Sequence, residues 1–159
     1  MSAVRFARAR VRFPRPRLTD LDGVLTAGLA AQRAAFPRSG RIAIAVGSRG
    51  IANLHRVVAR VVSTLKGWGL APFIVPAMGS HGGATAEGQA QLIADYGITV
   101  DGVGCPIESS MDVVDIAASG LPFQLFMDRR AFEADGVVLI NRIKPHTDFQ
   151  GSHESGLAK

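Results

Sequence analysis

Cysteine is nearly absent from this 159-residue chain: Cys105 stands alone. One thiol excludes an internal disulfide and any multi-cysteine metal cluster, and it fits a reducing compartment. No run of 18 or more apolar residues is present, so a membrane-spanning helix is not expected. The opening "MSAVRFARAR" lacks the apolar core of a secretory signal, and the expected location is the cytoplasm. Nucleotide fingerprints are missing too. There is no G-x-x-x-x-G-K-[ST], and no G-x-G-x-x-G follows a strand, which leaves standard ATP or NAD binding without direct support.

Acidic residues are fewer than basic ones, 13 against 18, for a net charge of +5. The excess is local, because six arginines lie between Arg5 and Arg17 and the remainder is close to neutral. Arg8, Arg10 and Arg12 alternate with Ala7, Ala9, Val11 and Phe13. That period of two predicts a half-buried edge strand with one charged face. From Arg8 to Arg12 the arginines are separated only by Ala9 and Val11, without the aromatic or glycine interleaving of a polyanion-binding arm, so no nucleic-acid partner is expected.

What the chain does contain is a globular composition, 47% hydrophobic and 19% charged, in a length that folds as one domain. Such a chain buries roughly 70% of the surface its unfolded form exposes. Thr19, with Asp22 three residues on, predicts a helix start, and Leu21, Val24, Leu25 and Leu29 recur at helical spacing up to Pro37. "RIAIAV" (41–46) is a short apolar, β-rich run. After the turn "GSRG", one helical face is marked by Ile51, Leu54, Val57, Val58, Val61, Val62 and Leu65. "APFIVPA" (71–77) opens a second unit of the same kind, with the loop "MGSHGGAT" and a helix from about Thr85 to Tyr96, closed by Gly97. A strand is expected near 98–107, 110–134 has no strong pattern, and "GVVLIN" (136–141) is a further strand. Alternating strands and helices predict an α/β fold: a Rossmann-like, mostly parallel sheet with helices on both faces, as an incomplete domain.

In an open parallel sheet the ligand crevice lies beyond the carboxyl ends of the strands. The unusual residues of this sequence fall there. "GSRG" brings Ser48 and Arg49, "GSHGGAT" brings Gly79, Ser80 and His81, and "IKPHTDFQGSHESGLAK" brings Lys144, His146, Asp148, His153 and Lys159. Glycine turns admit a ligand to the backbone, and amides at a helix start attract anions by about 0.3–1 kcal/mol per charge at exposed sites. The arginine fork of Arg49 suits a carboxylate or phosphate. The small residues around His81 leave its imidazole uncrowded. His55, off the apolar stripe of its helix, and Cys105, with no basic neighbour in sequence, are read as structural.

"IAIAVGSRGIANL", "PFIVPAMGSHGGATAEGQ" and "VVLINRIKPHTDFQGSHESGLAK", in this order and spacing, resemble the amino-terminal domain of the lactate racemase family. The likeness runs from about Phe13 to Lys159 and is closer to members with "GSHGGAT" and "KPHTDF" than to lactate racemase proper. It implies a racemase or epimerase of a 2-hydroxy acid that uses a nickel-pincer nucleotide as hydride acceptor. By this resemblance His81 and His146 are the acid–base pair, for which imidazole has a suitable pKa. Arg49 and Lys144 bind the substrate carboxylate, and Lys159 anchors the cofactor beside Arg49, Ser48, Gly79 and Ser80. The metal is held by the cofactor and by a histidine further along the family's chain, so no residue here is assigned as its ligand.

The pattern also departs from the family. Val46 and Gly50 replace the aspartate and proline of D-x-T-R-P, Gly82 stands where an arginine follows the histidine, and His153 is additional. The first two remove a substrate or cofactor contact, Gly82 implies altered carboxylate recognition, and the longer interval from His146 to Lys159 leaves binding of the nucleotide without a covalent link as an alternative to attachment at Lys159. The resemblance further implies that the chain is the amino-terminal part of a longer protein, inactive by itself, with an uncovered sheet edge that favours a homo-oligomer. Two other readings use the same residues. One is a metal-dependent hydrolase with His81, His146, Asp148 and His153 as ligands, and the other a non-catalytic carboxylate- or nucleotide-binding module.

Overall fold

A computed structural model describes residues 6–14, 16–48, 50–116, 122–145, 148, 150–152, 154 and 155. Strands β1 (Arg41–Val46), β2 (Ala71–Pro76) and β5 (Gly136–Ile140) form a parallel sheet in the order β2-β1-β5. β1 is central and buried on both faces from Ile42 to Val46, which is why it reads as a continuous apolar run rather than an alternation.

Ile42, Ile44 and Val46 point to one face, where they meet α2 (Leu54–Gly67) through Val58, Val61, Val62 and Leu65. These positions repeat at three- and four-residue intervals and form one stripe of the helix. Ile93 of α3 (Ala86–Asp95) and Val103 of α4 (Val100–Val103) complete this core. α1 (Leu21–Ala31) lies outside α2, with Leu29 packed against the core and Asp22 paired to Arg56 and Arg60 at 3.1 and 3.5 Å. Hydrogen bonds from these two arginines hold the Asp22 carboxyl below its ordinary range. Ala43, Ala45, Phe73 and Val75 point to the other face, a thinner layer covered by Ala131 of α5 (Arg129–Phe132). A short antiparallel hairpin of β3 (Val113–Asp115) and β4 (Phe126–Asp128) leads into α5. Helices therefore lie on both faces, as the sequence predicts.

Three local expectations are corrected. Residues 8–13 form no strand; they are exposed, with Val11 at 68% and Phe13 at 71%, and pair with neither edge of the sheet. The first helix is capped by Asp20, whose Oδ1 accepts from Gly23 N at 2.8 Å, rather than by Thr19; Asp22 is committed to the ion pairs instead. The segment 98–107 is not a strand. Thr99 caps the single turn of α4 by accepting from Gly102 N, and Gly104 closes it at φ 75°, so only Ile107 reaches the sheet, as one parallel bridge to Ile74. On the far side β5 has no strand neighbour among the described residues, and its Val137 and Leu139 are 39% and 50% exposed. No helix of the described residues is long and apolar enough to cross a membrane.

Candidate functional site

The chain leaves β1 through α2 to form β2 on one side, then returns past β1 to form β5 on the other. This reversal opens a crevice at the carboxyl ends. The three loops that leave these ends enclose a cavity of about 370 Å³, within the range of small-ligand sites. Gly47 N donates to Ile140 O and Ala77 N to Val46 O, so the sheet hydrogen bonding continues into the floor of the cavity.

Ser48, from the β1 end, is only 6% exposed and its hydroxyl contacts Nδ1 of half-buried His81, from the β2 end. A hydroxyl can donate to the neutral ring or accept from the protonated one, so this contact suits an imidazole that changes state. Gly79 and Ser80 lie beside His81 on the cavity wall, and Gln89 of α3, buried, donates from Nε2 to Gly79 O at 2.7 Å. The β5 end contributes Asn141, Arg142 and Lys144, whose backbone N donates to Ser155 Oγ at 2.7 Å. Among the described residues the lining includes two cations and no carboxylate. Hydroxyls, glycine-turn amides, an arginine and a lysine are the donor set of a site for anionic oxygens.

The glycines of "GSHGGAT" have a tighter role than leaving room around the imidazole. Gly82 sits at φ 63°, and a Cβ there would come within 2.6 Å of Gln89 N. A Cβ on Gly88 would fall on the Gly82 carbonyl. The turn bearing His81 is thus pressed backbone to backbone against the first turn of α3, which Thr85 caps by accepting from Gly88 N at 3.1 Å.

Of the residues assigned from sequence, Ser48, Gly79, Ser80, His81 and Lys144 come together around this cavity. Arg49, His146, His153 and Lys159 lie outside the described residues. Asp148 is exposed, and among the described residues no three His, Cys, Asp or Glu side chains gather into a metal-holding group. His55 is exposed on α2. Cys105 is buried, which pushes its thiol up against the opposing pull of Lys66. Asn141, Arg142, Ser155 and Gln89 were not anticipated. The strand-end rule reaches Arg142 even with the third strand drawn to Asn141, and it reaches Asn141 once that strand ends at Ile140. Comparison with family models, curated proteins and solved structures found no match for the chain.

Proposed function

We propose that the protein is a racemase or epimerase of a 2-hydroxy acid that works with a nickel-pincer nucleotide. The observation that carries this reading is the meeting of His81 with Ser48, Arg142 and Lys144 in one cavity whose described lining has no carboxylate. It stands beside the resemblance of the three strand-end motifs to lactate racemases. The donor set fits the phosphate of a nucleotide and the carboxylate of a hydroxy acid. Ser48, Gly79 and Ser80, with Arg49, hold the nucleotide, and Lys159 anchors it. When bound, this cofactor supplies the acceptor for the hydride of the substrate α-carbon.

The protein's own share is placement and proton transfer. Arg49 and Lys144 hold the carboxylate and so fix the α-carbon. His81 and His146 act as the acid–base pair, taking the hydroxyl proton as the C–H bond breaks and returning it when the bond re-forms. Ser48 keeps the His81 ring oriented through both states. The substrate class is a small 2-hydroxy carboxylate.

The test is the intact mass and nickel content of the protein isolated from cells that make the pincer nucleotide. Stoichiometric nickel with a mass increment on Lys159 is the expected result. Nickel without the increment removes Lys159 as the anchor and keeps the cofactor, whereas neither signal overturns the reading and leaves the metal-dependent hydrolase and the binding module.

A further inference from the structure

Arg142 differs from the ion-paired arginines of this fold, and from Arg33, whose bonds to the Phe36 and Pro37 carbonyls lie beside the Trp68 ring rather than at this cavity. Arg41, Arg56, Arg60, Arg129 and Arg130 each reach a carboxylate within 4.0 Å. Arg142 lines the cavity, and its Nη1 donates to a neutral acceptor, the Gly50 carbonyl, at 3.1 Å. One carbonyl occupies one of five guanidinium donors, and among the described residues no carboxylate pairs with the charge. Two features hold the group in this place. The backbone N of Arg142 donates to Asn141 Oδ1 at 2.8 Å, and Gly50, at φ 58°, leaves the space that a Cβ 2.5 Å from Nη1 would fill. The glycine that ends "GSRG" therefore seats the guanidinium against the β1 loop, with Ser48, His81 and Lys144 around the same cavity.

We infer that Arg142 is an anion-binding residue of this cavity, gripping the paired oxygens of a carboxylate or phosphate through its remaining donors. A planar fork makes two parallel bonds to such a group, and a lysine cannot. On the racemase reading, on which the choice of ligand rests, this anion is the carboxylate of the 2-hydroxy acid, and Arg142 is a determinant of its specificity.

The test uses the 159-residue chain, with glycolate and inorganic phosphate as probes and backbone amide resonances as the readout. Both anions compete for the same wall, and the amides of Gly47, Ser48, Gly79 and Ser80 are expected to shift. Arg142→Gln weakens the anion that Arg142 holds by about tenfold or more, and Arg142→Lys falls between, since it restores charge without the fork. The side chain is exposed, so the melting temperature of both variants stays near that of the parent. Loss confined to glycolate identifies a carboxylate, loss confined to phosphate a phosphoryl end, and loss of both the shared chemistry. Unchanged affinity for both anions in Arg142→Gln, or no shift with either anion in the parent, overturns the inference. These results are independent of nickel: a weakened Arg142→Gln in a protein that takes up no nickel keeps the anion site and removes the racemase. Nickel uptake with unchanged anion affinity does the reverse.

Discussion

Two groups of cations in this molecule are alike in composition and opposite in circumstance. On the thin face of the sheet, Arg41 crosses the Phe73 ring at 4.3 Å to reach Glu108 at 2.6 Å, and Arg130 approaches the same carboxylate at 3.7 Å. Their charge is matched, and their stems roof an apolar layer made of little more than Ala43, Ala45, Phe73 and Val75. At the carboxyl ends of the strands, Arg142 and Lys144 border a cavity whose described lining offers hydroxyls, amides and an imidazole, with no carboxylate. Basic residues therefore say little about function until their partners are known. A cation with an acid beside it holds the fold together, whereas a cation with only neutral acceptors around a cavity is set for an anion that comes from outside.

The sharpest way to test that division is to remove the group that turns an anion site into a reactive one. His81→Ala, in protein loaded with cofactor, is expected to lower turnover by about 10²–10⁴, the range typical of a positioned acid–base group. Racemisation within a few-fold of the parent would remove His81 from the chemistry and reduce the cavity to a binding site. The next largest effect concerns how the rim is held. Alanine is the better helix former by about 1 kcal/mol, so Gly88→Ala in a helix with free space would stabilise. Here its Cβ meets the Gly82 carbonyl, and a loss of about 1–3 kcal/mol is expected in urea unfolding. A stabilised Gly88→Ala variant would show that the His81 turn is not pressed on α3.

Much of this arrangement is legible in the sequence, for physical reasons that differ by element. β1 and α2 are plain because burial on both faces makes "RIAIAV" wholly apolar, and burial on one side spaces Leu54, Val58, Val61 and Leu65 by helical turns. Arg8–Phe13 carries the pattern of a strand, but pattern cannot supply the neighbour that pairing needs. Residues 98–107 mislead because the β-rich "ITV" also contains a helix cap, Thr99, and the decision falls to Gly104 further on. The same contrast holds at the site. Ser48, Gly79, Ser80, His81 and Lys144 follow from their places after apolar strands. The Ser48–His81 contact, 33 residues apart, and the Gln89 bond to Gly79 exist only once the loops are brought together. Arg142 already follows the expected strand 136–141, but its sequence position does not reveal the Gly50 carbonyl 92 residues away that seats it.

The smallest effect is expected where the charges are matched, and it tests the comparison from its other side. Glu108→Gln removes the acid shared by Arg41 and Arg130. The arginines are 52% and 38% exposed, so solvent already screens the pairs and the loss of stability should stay below about 1 kcal/mol, or roughly 2–4 °C in a domain of this size. The difference should shrink further at high salt, since the Debye length falls from about 10 Å at 0.1 M to about 3 Å at 1 M. The variant also leaves two guanidinium groups without their carboxylate, on an open face with no cavity to exclude water. If unmatched charge alone made an anion site, Glu108→Gln would bind phosphate about as well as the rim does. No phosphate-dependent shift near Glu108 is expected, because the rim joins its cations to hydroxyls and glycine-turn amides that this face lacks. A new site there would make the cavity, rather than the charge, the dispensable part.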